Sequence, residues 1–197
     1  VVEDTFFLCF GEILNIVHNG DADLTGDPDP GTQPGITYAI LDCPPTVSGP
    51  NLSTIITDPC LTTTPPPAMG IWAVSGGSAN GNIQFNNSGQ IQNFYNGGNP
   101  VLKWFAPLTI DRFTDKAYEQ DPATMEVGPC VNLNVAEAFP VVYLNEIDVS
   151  NLSTNTGVSG CQGTFEVVGG LPEFDGSNYD ITIELVGSPG VYGYIVN

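Results

Sequence analysis

The residues best suited to chemistry stand together in NGDADLTGDPDPGTQPG, where Asp21, Asp23, Asp27 and Asp29 fall within nine residues. Asp21, Asp23, Thr25 and Asp27 set oxygen-bearing side chains at alternate positions around a glycine turn at Gly26. A short loop wraps carboxylates and hydroxyls about a hard cation in this way, and calcium takes about six to eight such oxygens. The spacing follows the first half of an EF-hand loop, but the closing position is Thr32 instead of a bidentate glutamate, and no helical pattern flanks it. Two readings stay open: a β loop stiffened by Ca2+ through Asp21, Asp23, Thr25, Asp27 and Asp29, or a hydrated acidic turn held by its own caps. The first basic residue is Lys103, so nothing nearby in sequence neutralises the loop.

Other chemistries have weaker footing. Asp111, Asp115, Glu119 and Asp121 form a second acidic cluster, but Arg112 and Lys116 lie inside it and neutralise it locally. No spacing picks out a carboxylate pair for glycoside hydrolysis. There is no G-x-S-x-G elbow, and the single histidine, His18, sits at the end of a strand-like run, where a turn role outweighs that of a base. The expectation is therefore a protein without catalysis. Trp72 and Trp104 could stack on sugar rings beside the Asn-rich loop NNSGQIQNFYNGGNP, although both lie in apolar runs whose usual fate is the core. Asn51, Asn86 and Asn151 fit the N-x-Ser glycosylation pattern.

Charge narrows the partners. Of 197 residues, 22 are acidic and three are basic, giving a formal net charge of −19. Nucleic acid and anionic membranes require a basic footprint that this chain lacks. No apolar run is long enough to insert into a bilayer. Cations, cell-surface glycans or proteins, further copies of the chain, and neighbouring domains of one long protein remain. The Gly-, Pro-, Asn- and Thr-rich, lysine-poor composition is that of a secreted β protein. The sequence starts on Val rather than Met and closes on the strand-like GVYGYIVN, so it reads as a mature or excised piece of something longer.

The five cysteines are widely spaced, with no CxxC pair and one histidine, which argues against zinc. In an oxidising compartment the expected bridges are Cys43–Cys60 and Cys130–Cys161, with Cys9 left over; buried reduced thiols are the alternative.

The elements that must position these residues are strands. Val-, Ile-, Thr-, Phe- and Tyr-rich runs recur from Thr5 to Val196, including 13–18, 36–42, 91–95, 101–110, 141–149, 163–168 and 191–196, separated by Asn-Gly, Gly-Gly and Asp-Gly turns. Helix is confined to Asn51–Asp58, stopped by Pro59, and a single turn over Lys116–Gln120. The expected fold class is all-β: tandem immunoglobulin-like β-sandwich domains with long loops, one over 1–128 and an incomplete repeat over 129–197, joined near Gly128-Pro129.

Two phrases carry a family resemblance. FLCFGEILNIVHNGDADLTGDPDPGTQPGITYAILDCPPTVSGPNLSTIITDPC resembles a domain recurrent in the modular surface proteins that gliding and predatory Bacteroidota export through the type IX system. GCQGTFEVVGGLPEFDGSNYDITI is similar to their gliding-adhesin immunoglobulin-like repeats, with Cys161, Gly163, Gly169, Gly170 and Pro172 at the matching places. The resemblance implies an extracellular role in adhesion or filament building, as in grappling-hook filaments. The reading from sequence is thus a structural or adhesive module, with GVYGYIVN as the strand offered for exchange; its alternative is a calcium-dependent glycan-binding module built on Asp21, Asp23 and Asp27.

Overall fold

The structure, a computed structural model, describes residues 5–25, 31–67, 70–115, 131–146, 148–157, 160–168, 183–188 and 191–196. These residues are mostly strand with little helix, and the fold is all-β in class. The chain divides into two compact units, Val1–Asn145 and Glu146–Asn197. The expected Gly128-Pro129 junction lies outside the described residues, as does the turn expected at 116–120.

In chain order, unit 1 contains β1 (Phe6–Leu8), β2 (Ile13–Ile16), β3 (Gly35–Leu41), α1 (Leu52–Ile55), β4 (Ala73–Val74), β5 (Ile83–Asn86), α2 (Gln90–Asn96), β6 (Val101–Ile110), β7 (Asn132–Leu133), a 3-10 turn at Val135–Glu137, and β8 (Phe139–Tyr143). A six-stranded sheet runs β1-β8-β6-β3-β4, with β7 pairing the far part of β6. The β1–β8 pair is parallel and the others are antiparallel. β3 and β6 stay in register from Gly35 opposite Ile110 to Leu41 opposite Trp104.

All seven residues of β3 are buried, because both faces of the sheet are covered. Tyr38 and Ile40 face one side, with Leu8, Phe105, Val141 and Tyr143, beneath Ile83 and Phe85 of the antiparallel β2–β5 pair. Ala39 and Leu41 face the other, with Leu108, Ile110, Leu133 and Ile55 of α1. A strand covered on both faces reads as a continuous apolar run rather than an alternation, as GITYAIL does.

Polar groups fix the edges of this core. Asn87 is fully buried; its Nδ2 donates to the carbonyls of Leu8 and Leu144, each at 2.7 Å, and its Oδ1 accepts from Gln92 Nε2 at 2.8 Å. One side chain thereby ties β1, the end of β8 and α2 together. Across the sheet, the expected Cys43–Cys60 bridge is present, with Cα atoms 5.0 Å apart. The loop it closes carries α1 and is organised from within by Asp58, which accepts from the backbone N–H groups of Thr46 (2.7 Å), Val47 (2.9 Å) and Cys60 (2.8 Å). Burial pushes the Asp58 carboxyl up, but these hydrogen bonds to its charged form outweigh that and hold it below the usual aspartate range.

One expected strand is a helix. Residues 91–95 lie in α2, which Gly89 and Gly97 bracket, both in left-handed conformation, with the Gly97 N–H donating to Gln92 O. Ile91 and Tyr95 stand one helical turn apart, so an apolar spacing that also fits a strand serves one helix face.

Unit 2 contains β9 (Asp148–Gly157), β10 (Gly160–Val168), β11 (Ile183–Ser188) and β12 (Val191–Val196). β9 pairs antiparallel with β10, and β11 with β12. Among the described residues, neither hairpin has a further strand beside it.

Candidate functional site

The acidic loop forms one wall of a cleft in unit 1 of about 660 Å³. β2 carries the chain across one face of the main sheet, and the segment after it, residues 17–25, overhangs that face. His18 anchors the overhang: its backbone N–H donates to Asn82 Oδ1 at 3.0 Å, and its Nδ1 accepts from Gly20 N at 3.0 Å. Its ring lies against Gly81, where a Cβ would approach the imidazole to 3.0 Å and where φ of +82° already favours glycine. The single histidine thus holds a turn. The cleft is lined as well by Asn132 of β7, by Asn134 and Glu137 at the two ends of the 3-10 turn, and by Tyr38, Pro107 and Phe139.

Within the loop, much of the hydrogen-bonding capacity is used internally. Asp23 Oδ1 accepts from Thr25 N at 2.9 Å and from Thr25 Oγ1 at 2.6 Å, and these two donors hold its carboxyl below the usual aspartate range. Asp21 Oδ2 accepts from Asn19 Nδ2 at 2.9 Å, while its Oδ1 stands 3.9 Å from His18 Nε2. Asp27 and Asp29, named with them as candidate calcium ligands, lie outside the described residues. Among the described residues, no group of three His, Cys, Asp or Glu side chains gathers as a metal site requires.

The described cations are committed elsewhere. Lys103 is buried, its Nζ pairs with the Asp42 carboxylate and lies 3.8 Å from the centre of the Tyr95 ring. Arg112 pairs with Asp115, in the second acidic cluster. The acidic loop is therefore not neutralised by either.

The two tryptophans do not line the cleft. Trp72 is half-buried on the β2–β5 side, where its indole N–H donates to Pro65 O at 2.6 Å and its ring meets Phe94 edge-on. Trp104 packs against the core on the other face. Of the remaining cysteines, Cys161 takes its place in β10 opposite Thr156, and Cys130 lies outside the described residues. Cys9 is free and exposed, and desolvation followed by the neighbouring Glu12 carboxylate push its thiol up, away from nucleophilic thiolate.

Asn132, Asn134 and Glu137 are the part of the site that sequence reasoning missed. They belong to a two-residue strand and a single turn, brought beside the acidic loop only by pairing with β6, and no local motif marks them.

A second candidate is the set of open strand edges in unit 2. On β11–β12, Ile183, Leu185, Tyr192, Tyr194 and Val196 hold alternate register positions, and Glu184, Val186, Ser188, Val191 and Ile195 hold the others. By contrast β9–β10 sets Thr154 opposite Gly163 and Asn155 opposite Gln162.

Among the described residues no helix is long and apolar enough to cross a membrane. Compared with known proteins, the chain matches no family model, no curated protein and no solved structure.

Proposed function

We propose that the chain is a structural and adhesive module of a long extracellular surface or filament protein. It is built as tandem immunoglobulin-like β-sandwich domains and acts by strand pairing and apolar packing between modules, without catalysis. The observation that carries this reading is the β11–β12 hairpin, whose sequence is apolar at most positions and which is paired on one side only among the described residues. A two-stranded hairpin is marginal in water unless further strands or a packed layer complete it, and an open edge accepts strands from another chain. The Cys43–Cys60 bridge fits an oxidising, extracellular setting. The net charge of −19 opposes self-association at low salt and opposes it less when screened.

Sedimentation velocity of the full chain at rising concentration, in low and high salt, tests the proposal. Association is expected, favoured by salt, and Ile195→Lys should suppress it by placing a charge on the exchange strand. A chain that stays monomeric and protease-resistant at every concentration and salt overturns strand exchange.

A further inference from the structure

We infer that Asn19 is a self-modifying site, at which the Gly20 amide nitrogen attacks the asparagine side chain and converts it to aspartate and isoaspartate, with His18 as the base. Three Asn-Gly pairs are present, at 19, 80 and 96, and each is a candidate because glycine has no Cβ to shield the amide nitrogen that follows the asparagine. They differ in what the glycine amide meets. The Gly20 N–H donates to His18 Nδ1 at 3.0 Å, so the nitrogen that must give up a proton to attack already faces a lone pair able to take it. The other imidazole nitrogen, Nε2, stands 3.9 Å from Asp21 Oδ1, and a carboxylate there favours the tautomer that leaves Nδ1 as the acceptor. Asn19 Oδ1, where negative charge develops, accepts from the Asp21 N–H at 3.3 Å. The leaving nitrogen, Asn19 Nδ2, donates to Asp21 Oδ2 at 2.9 Å, so both ends of the carboxamide are held.

In the step itself the Gly20 nitrogen bonds to Asn19 Cγ while its proton passes to His18 Nδ1. The Cγ–Nδ2 bond then breaks, and ammonia leaves with that proton, which restores the imidazole. The cyclic imide left behind takes up water at either carbonyl, hydroxyl to the carbon and hydrogen to the nitrogen, and opens to aspartate or, through the other bond, to isoaspartate. Asn19 and Gly20 are exposed, so this water reaches the ring. Each of the other two pairs lacks a condition. The Gly97 N–H donates to Gln92 O, a carbonyl that cannot take up the proton. Gly81 is buried against the His18 ring, which keeps water from an imide built on its nitrogen. At Asn19 each event adds a negative charge to the acidic loop, and isoaspartate also lengthens the backbone by a methylene in the turn that His18 anchors.

The reaction involves unit 1 alone and so is independent of strand exchange. To test it, the full chain is incubated at neutral pH and its peptides are followed by mass spectrometry with electron-transfer fragmentation, which distinguishes isoaspartate from aspartate. Exchange of ammonia for water at Asn19 is expected at least about fivefold faster than at Asn80 or Asn96, with both products formed. These readouts come from the unaltered chain and do not depend on a variant folding. His18→Asn supplies a side-chain oxygen that can still accept the Gly20 N–H but cannot take its proton, and it should slow conversion at Asn19 by about tenfold. A histidine that only holds the turn predicts no such slowing. Equal rates at the three pairs, a product that is aspartate alone, or His18→Asn converting as fast as the unaltered chain overturns the inference.

Discussion

GITYAIL in β3 and VYGYIV in β12 are apolar at nearly every position, yet β3 is hydrogen-bonded on both sides, by β4 and β6, while β12 has only β11 beside it among the described residues. In β3 the pattern is accounted for within unit 1: one face meets the β2–β5 layer and the other meets α1 and the disulfide loop. The composition of β12 asks for the same enclosure. Apolarity on both faces of a strand records that cover is required, and leaves open whether the cover comes from the same chain or another.

The sharpest way to break this comparison is to truncate both strands. Leu41→Ala, in the centre of a closed core, should cost about 3 kcal/mol in urea unfolding followed by the tryptophans of unit 1. Ile195→Ala should change monomer stability by less than about 1 kcal/mol and act on association instead. Equal losses in the monomer would show that β12 is as enclosed as β3.

A slightly smaller effect is expected from the bridge that holds the cover over the far face of β3. Cys43 and Cys60 are separated by 17 residues, and releasing a loop of this size with Cys43→Ser and Cys60→Ser together should lower stability by about 2–3 kcal/mol. The unfolding midpoint of unit 1 should fall, with unit 2 unaffected. A loss shared equally by both units would show that the bridge does not act on unit 1 alone.

The smallest of these effects separates the bridge from the carboxylate beside it. Asp58→Ala leaves three backbone N–H groups of the loop without their acceptor and should cost about 2 kcal/mol at neutral pH. Because the folded-state carboxyl titrates below the ordinary aspartate range, the unfolded chain binds the proton more readily. Its stabilisation is complete above the unfolded value and is lost as pH falls through the lower, folded one. Acid unfolding of the wild type should therefore contain a component, on the acid side of the usual aspartate range, that Asp58→Asn lacks.

What was legible in the sequence divides along similar lines. β3 and β6 are long, apolar runs whose burial on two faces shows as an unbroken pattern, and the 43–60 bridge was readable from cysteine spacing. Residues 91–95 were misread because QIQNFYN offers too few turns for period 2 and period 3.6 to be told apart, and the glycines at 89 and 97 serve as helix ends here although they also mark strand turns. In the cleft, Asp21 and Asp23 stand out in the sequence as a dense local cluster spaced as for an ion; Asn132, Asn134 and Glu137, which line the same cleft, are far along the chain and are set by β6–β7 register. Register of that kind is a tertiary property, and no short window of sequence contains it.

The parallel pairing of β1 with β8 has a mechanical consequence. These are the first and last strands of unit 1, and they run in the same direction, with Phe6 opposite Val141 and Leu8 opposite Tyr143. Tension applied through the two ends of the unit therefore pulls these neighbours lengthwise past each other, so that the rungs of the ladder share the load at once instead of parting one by one. Asn87, hydrogen-bonded to the carbonyls of both Leu8 and Leu144, sits where that sliding has to begin. A module strung in a filament under drag would be gripped at this point, and Asn87→Ala is the change that would let it give way at lower force.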